Sequence, residues 1–277
     1  MKEFTNELKA FARERGADLV GIADIDRFDG LSKERHPRTI FPEAKSVVVI
    51  GRRITRGTLR GVEEGTQLSN YQLFGYSWLN DRFTALTTYE TVEFLENNGW
   101  ESVPLPSLPV QTPPMGISVR ENQPPPNVML DFDDAAVRAG LGEIGYCGVF
   151  LSPEFGPRQR FQLILTDAEL EPDPILTDPI CDRDMACVET CPLSAINTEN
   201  ETELNICGKK MVVAEVDFSK CRECKNGARP NIYHSSGNPD RLAAICVRSC
   251  IDYLERTEKL TKSFHNPFRK RPVWTRG

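Results

Sequence analysis

Cys181, Cys187 and Cys191, with Pro192 directly behind the last of them, constrain this chain more than any other stretch. They fit the spacing C-x2-C-x2-C-x3-C-P at every position except the second cysteine, where Asp184 stands. That spacing wraps donors two residues apart around one iron-sulfur cubane and turns the cysteine before the proline towards a second one. A run of this kind predicts partner donors elsewhere in the chain, and a backbone that folds to bring the two stretches together.

The partners are Cys221-Arg-Glu-Cys224 and Cys246-Val-Arg-Ser-Cys250. Crossing the runs predicts two [4Fe-4S] clusters, one held by Cys181, Asp184, Cys187 and Cys250, the other by Cys191, Cys221, Cys224 and Cys246. Structural zinc is the competing occupant, because C-x2-C pairs also make zinc sites, but C-x3-C-P is an iron-sulfur spacing. A carboxylate is a harder donor than a thiolate, so iron held by Asp184 is expected to exchange more easily than iron held by its neighbours. Cys207 is the rival fourth ligand, since Glu203 to Val216 reads as a hairpin able to fold back over the cluster. Cys147 lies outside both runs and reads as a redox-active thiol or a small core residue.

Nine cysteines without a secretion signal predict a reducing, cytoplasmic setting in which thiols serve metals. Residues from Met1 read as an amphipathic helix start, with neither an apolar signal core nor a twin-arginine pair. No apolar run reaches the roughly 18 residues of a membrane span. A formal net charge of -6 repels phosphate and argues against nucleic acid as a partner. The basic tail from Phe268 reads as a solvated end.

In chain order, a helix from Lys2 to Arg15 carries Phe4, Leu8 and Phe11 on one face and stops at Gly16. Leu19 to Ala23 and the β-branched run Ser46 to Gly51 read as strands, the second central. A long helix is predicted over Ser69 to Asn97, with Leu79, Phe83 and Leu86 as its core face and Tyr71, Tyr76 and Trp78 able to line a pocket. The proline-rich stretch Pro104 to Pro126 excludes a helix or central strand and reads as a linker or a cofactor wall. Beyond Asp131, a short acid-capped helix runs into Gly140, Gly142 and Gly145 and returns as a strand. The G-x-G-x-x-G spacing there lacks the helix that a dinucleotide site needs behind it, so the glycines are expected to let backbone approach a flat cofactor or the cluster region. The chain is thus expected to be α/β (α+β), with residues 1–170 as a cofactor or substrate domain, 171–260 as a double-cluster ferredoxin-like domain and 261–277 as a basic tail.

Ala139-Gly-Leu-Gly-Glu-Ile-Gly145, Leu151-Ser-Pro-Glu-Phe-Gly156, Ile164-Leu-Thr-Asp167, Glu169-Leu-Glu-Pro-Asp173 and the Cys-Pro run together resemble the epoxyqueuosine reductase family, which is related to the corrinoid reductive dehalogenases. The resemblance covers about Asp131 to Cys250, with a weaker match at Ser69-Asn-Tyr71. It implies a nitroreductase-like N-terminal domain that holds base-off cobalamin against the two cubanes. Electrons would enter from a donor such as a ferredoxin or flavodoxin and reach an epoxide or carbon-halogen bond of a small substrate. Tyr146 and Cys147 stand where the family carries lysine and asparagine, Cys224 replaces a cysteine expected near Ala243, and no helical-repeat extension for tRNA follows Cys250. A tRNA substrate is therefore not expected.

The resemblance also implies a proton donor near the cofactor. Its matches are the group Asp131, Asp133 and Asp134, with Asp134 carried forward, and Tyr71; Gly142, Gly145 and Cys147 are the matching cofactor contacts. Two function classes follow from the sequence: an iron-sulfur reductase with chemistry in its N-terminal domain, or an electron carrier whose N-terminal domain docks a partner enzyme. A zinc- or cluster-stapled binding module is the third.

Overall fold

Alternation of apolar residues decides the centre of the fold. In the computed structural model, which describes residues 1–276, the strand β2 (Ser46–Arg53) turns Val47 and Val49 to one face and Val48 and Ile50 to the other, and all four are fully buried. The rest of the chain covers both faces. Before β2 come helix α1 (Lys2–Glu14), strand β1 (Leu19–Asp24) and the short helix α2 (Pro37–Ile40). After it come the single turn α3 (Arg60–Glu63), helix α4 (Ala85–Asn97), strand β3 (Ser102–Leu105) and helix α5 (Phe132–Arg138). The hairpin β4 (Glu143–Ile144) and β5 (Phe150–Leu151) leads to β6 (Gln159–Thr166).

The main sheet has the order β1-β2-β6-β3, every pair antiparallel, so β2 is internal, as its apolar run predicts. Leu8, Ala12, Val92 and Leu95 of α1 and α4 pack on one face, and Ala135, Ala136 and Val137 of α5 on the other. Pro104 is accommodated because β3 is an edge strand, where a missing N–H costs no ladder bond on the open side.

The long helix expected over Ser69 to Asn97 is present, but its first half is wound with π turns over Tyr71–Ser77 and Leu79–Thr84. That winding changes which residues face inward. Leu79 is buried, whereas Phe83 and Leu86 are exposed, correcting the expected core face. An i→i+5 turn advances side chains by a different angle from an α turn, so a face projected at α-helical spacing drifts into solvent. The buried side of α4 is built from Thr87, Thr88, Thr91, Val92 and Leu95 instead. Thr91 remains tolerable there because its hydroxyl donates to the Thr87 carbonyl at 2.7 Å.

The cysteine-bearing part adds α6 (Ala186–Glu189), the hairpin β7 (Ile196–Ile206) and β8 (Lys209–Val216), α7 (Phe218–Glu223) and α8 (Ile245–Arg256). Its core group takes in Tyr146, Cys147, Val149 and Leu151 from the β4–β5 hairpin, so packing runs across residue 170. The basic tail departs from the solvated end expected of it. Phe268 is fully buried, the Arg269 guanidinium donates to Glu63 at 2.6 Å, and Trp274 Nε1 donates to the Glu63 carbonyl at 2.8 Å. An aromatic anchor beside a buried carboxylate explains the difference; Gly277, the last tail residue, lies outside the described residues.

Candidate metal centre

The β4–β5 hairpin delivers the sheet to the cysteines. Two glycines make this possible: a Cβ on Gly142 would lie 1.9 Å from the Leu151 carbonyl oxygen, and one on Gly145 would meet the Leu151 side chain. Both glycines therefore serve the hairpin's own close approach. Glu143 pins the hairpin to the first cysteine run by accepting from the N–H groups of Ile180 at 2.8 Å and Cys181 at 2.7 Å, while Lys209 Nζ balances its charge at 3.0 Å. Tyr146 N–H donates to Cys181 Sγ at 3.4 Å.

Cys191, Cys221, Cys224 and Cys246 line one small hollow, together with Pro192, Ala244 and Arg241. This is the second set that crossing the runs predicts. Burial pushes Cys246 up to about 12, with the charge of Cys147 adding and that of Arg241 opposing. Cys221 is also raised by burial, and the charges of Cys191 and Cys224 act on it. The Arg241 Nη1 atom is buried without a hydrogen-bond partner among the described residues. Four thiols around one space, with a buried guanidinium in its wall, are the kind of donor set that a four-iron cluster uses.

Cys181, Cys187 and Cys250 form the other group, and Cys147 packs with them in one buried cluster. Cys147 and then burial raise Cys187 far above the ordinary thiol range, while Cys187, with the Arg241 charge and against burial, lowers Cys147 to about 7. Burial and then the Cys147 charge raise Cys250, and burial raises Cys181 with Cys147 adding. Asp184 is half-buried; its carboxylate accepts from the Ala186 N–H at 3.0 Å, and its charge is felt by Cys250. Cys207 is exposed at the β7–β8 turn, where its sulfur faces the Arg27 carbonyl at 3.7 Å and Arg138 at 3.9 Å. The structure does not gather it with the other thiols. All nine cysteines are free, and among the described residues no three His, Cys, Asp or Glu side chains close on a single-ion point.

Arg241 is also the wall of a second hollow, of about 300 Å³, bounded by the segment from Ser107 to Gln111, the start of α5, β5 and β6. Residues 107 to 111 of the proline-rich stretch thus form part of the wall of this space. Asp133 lines the hollow and is pushed up to about 7, by burial first and by the Asp131 charge next, with Arg160 and Arg241 opposing. Asp134 is held by Arg138, whose Nη2 donates to it at 3.0 Å, and borders a neighbouring hollow. Tyr71 is fully buried; it donates to Asp240 and accepts from Arg160 at 2.9 Å, so it orients two residues of the hollow's wall without lining it. Tyr76 and Tyr71 are core residues, and Trp78 packs edge-on against Phe74. A larger cleft of about 550 Å³ lies between β2 and the π-wound helix, lined by Arg52, Arg53 and Phe83, with no cysteine in its wall. Arg241 is the residue that sequence reasoning missed, and of the acidic group it named, Asp133 and not the Asp134 carried forward lines the larger thiol-side hollow. Asp133 was visible within the acidic triplet, whereas nothing adjacent to Arg241 marks it.

No family model matches the chain. It is 38% identical over 118 residues to a tetrachloroethene reductive dehalogenase of Desulfitobacterium hafniense, and 30% identical over 118 residues to that of Dehalobacter restrictus; each match takes in 42% of this chain. The chain spans about a fifth of the length of these curated relatives, 21% in both cases. Among solved structures, the catabolic reductive dehalogenase NpRdhA overlays 88% of this chain and 31% of its own, with a TM-score of 0.56 at 18% identity. A reductive dehalogenase whose structure is described as suggesting a mechanism for B12-dependent dehalogenation overlays 77% of this chain and 28% of its own, with a TM-score of 0.52 at 18% identity. The chain resembles this family, as its motifs imply, and it shares the mixed α/β fold of these structures.

Proposed function

We propose that this chain is an iron-sulfur reductase in which two [4Fe-4S] clusters carry electrons to a small molecule bound in the hollow beside Asp133. The observation that carries the proposal is the place of Arg241, which forms the wall between the hollow ringed by Cys191, Cys221, Cys224 and Cys246 and the hollow lined by Asp133. In this reading residues 1–170 form a nitroreductase-like substrate domain and 171–260 a ferredoxin-like one, with an external ferredoxin or flavodoxin as donor and a cytoplasmic setting. When bound, the clusters supply one-electron transfer. The residues do the rest. Thiolates hold the iron, and Arg241 places a buried positive charge between the two spaces. Asp133, protonated up to about pH 7, holds the proton that reduction of a bound acceptor takes up. Tyr71, through Asp240 and Arg160, fixes the far wall.

Cobalamin is the cofactor that the B12-dependent neighbour brings to mind for this chain. A corrin with its amide arms is wider than a hollow of about 300 Å³, which has the size of a small-molecule site. The residues in their described positions therefore do not fit it, and no step is derived through it. A second reading, an electron carrier that docks a partner enzyme, has one observation on its side: Met115, Ile117 and Val119 are 65%, 78% and 84% exposed on the proline-rich loop.

Anaerobic purification followed by iron and sulfide analysis tests the proposal. About eight irons and eight sulfides per chain are expected, with two reducible cubane signals in electron paramagnetic resonance after dithionite. Zinc in place of iron would replace the proposal with a stapled binding module. Corrin retained on reconstitution with cobalamin would show that the loop lifts to admit it.

A further inference from the structure

The first cysteine run lacks its second thiol, and the fold brings one to it from the opposite side. Cys147 comes from the β4–β5 hairpin, far from the run in sequence, yet it is buried in one core group with Cys187. Cys181 and Cys250 pack against that group, and the N–H of Tyr146, the neighbour of Cys147, donates to Cys181 Sγ at 3.4 Å. The hairpin is fastened to this place on three sides: Glu143 accepts from the Ile180 and Cys181 N–H groups, the Tyr146 carbonyl accepts from Ala214 N–H at 2.8 Å, and Arg241 Nη2 donates to the Cys147 carbonyl at 2.8 Å.

We infer that Cys147 supplies the fourth thiolate of the first cluster, completing Cys181, Cys187 and Cys250, and that Asp184 stands outside the ligand set. This deepens the two-cluster reading and rests on it. Asp184 is already engaged locally, accepting from the Ala186 N–H at the start of α6 at 3.0 Å. Cys147 is buried in the core group that holds Cys187 and Cys246, and Arg241 holds its carbonyl at 2.8 Å. A soft sulfur donor also suits iron-sulfur chemistry better than a carboxylate. The cluster so formed would tie the ferredoxin-like part covalently, through iron, to the hairpin whose Gly148 lines the hollow beside Asp133.

The test uses the full chain, reconstituted anaerobically with iron and sulfide. The wild type tests the two-cluster reading: about eight irons support it, and a protein without iron overturns the reading and this inference with it. Given iron-loaded wild type, Cys147→Ser is expected to lose about one iron per chain and to show the oxidised three-iron signal in electron paramagnetic resonance, with the other cluster unchanged. Asp184→Ala and Cys207→Ala should keep the wild-type count and signals. Adding Asp184→Cys to Cys147→Ser should restore the four-iron cluster, a rescue that a mere folding defect would not allow. A three-iron signal from Asp184→Ala, or two intact four-iron clusters in Cys147→Ser, would overturn the assignment. Should Cys147→Ser fail to fold, the Asp184→Ala spectrum decides alone, since an unchanged cluster there removes the carboxylate from the ligand set.

Discussion

Cys191, Cys221, Cys224 and Cys246 come from three segments of the cysteine-bearing part and ring a single hollow, whereas Cys181, Cys187 and Cys250 pack with Cys147, a residue supplied by the sheet's own hairpin. The second group is complete within its part of the chain and is enclosed by Pro192, Ala244 and Ile245. The first group depends on how β4–β5 is held, and its run carries Arg183 and Met185 in left-handed backbone, at φ +61° and +67°. Non-glycine residues hold that conformation only when surrounding contacts impose it. The two clusters proposed here should thus differ in robustness: one rests on spacing, the other on a tertiary contact between two parts of the fold.

The largest expected effect separates them directly. Cys221→Ser removes a ligand with no spare thiol to replace it, because Cys147 is engaged by the first group in this reading and Cys207, the exposed thiol, lies at the β7–β8 turn. About half of the iron and sulfide should be lost, leaving the first cluster's signal intact. If both signals vanished together, the groups would be one cooperative unit and the contrast between them would fail.

A second, smaller effect concerns the hollow that the second group adjoins. The Asp133 carboxyl is raised from its ordinary 3.8 to about 7, so it carries a proton below about pH 7 and loses it above. Reduction of whatever acceptor the wild type turns over, driven by reduced viologen, should fall as pH rises through about 7. Asp133→Asn should lower it by about 10²-fold or more at pH 6. Stability gives an independent sign. Between 3.8 and about 7 the folded chain binds more protons than the unfolded one, so stability falls as pH rises across that window. Asp133→Asn should therefore raise the melting temperature at pH 8 relative to wild type, and leave it nearly unchanged at pH 3.5. An unchanged pH profile of turnover would move the proton donor elsewhere, with Asp134 the next residue to substitute.

Sequence alone made the second thiol group readable, because its members sit at spacings that a cubane dictates. It made β2 readable as well, since a β-branched run with both faces apolar has few other uses. The fourth corner proposed for the first group was not readable from spacing, because Cys147 is adjacent to it in space and not in sequence. A count would have raised the question: nine cysteines, seven of them in runs, leave Cys147 and Cys207 for one vacancy at Asp184. Choosing between the two required the fold, which sends Cys207 to an exposed turn and Cys147 inward. The exposed Phe83 and Leu86 were misread for a local reason, the π winding that no α-helical period anticipates. The docked tail was misread because the partner of Arg269, the buried Glu63, lies more than two hundred residues away.

The smallest expected effect is the finest test of the contrast. Arg241 lines the second thiol hollow and its charge acts on both Cys221 and Cys246, whereas in the first group it acts on Cys147 alone, whose carbonyl accepts from it at 2.8 Å. A fixed positive charge favours the more negative, reduced state of a cluster, and its influence falls with distance and with intervening polar groups. Arg241→Gln keeps a donor for the Cys147 carbonyl while removing the charge. The second cluster's midpoint potential should become more negative by on the order of tens of millivolts. The first cluster's should move less, as measured by redox titration followed by electron paramagnetic resonance at each potential. Equal shifts in both clusters would mean that the guanidinium acts on the pair as a whole, and the asymmetry argued from its place would not survive.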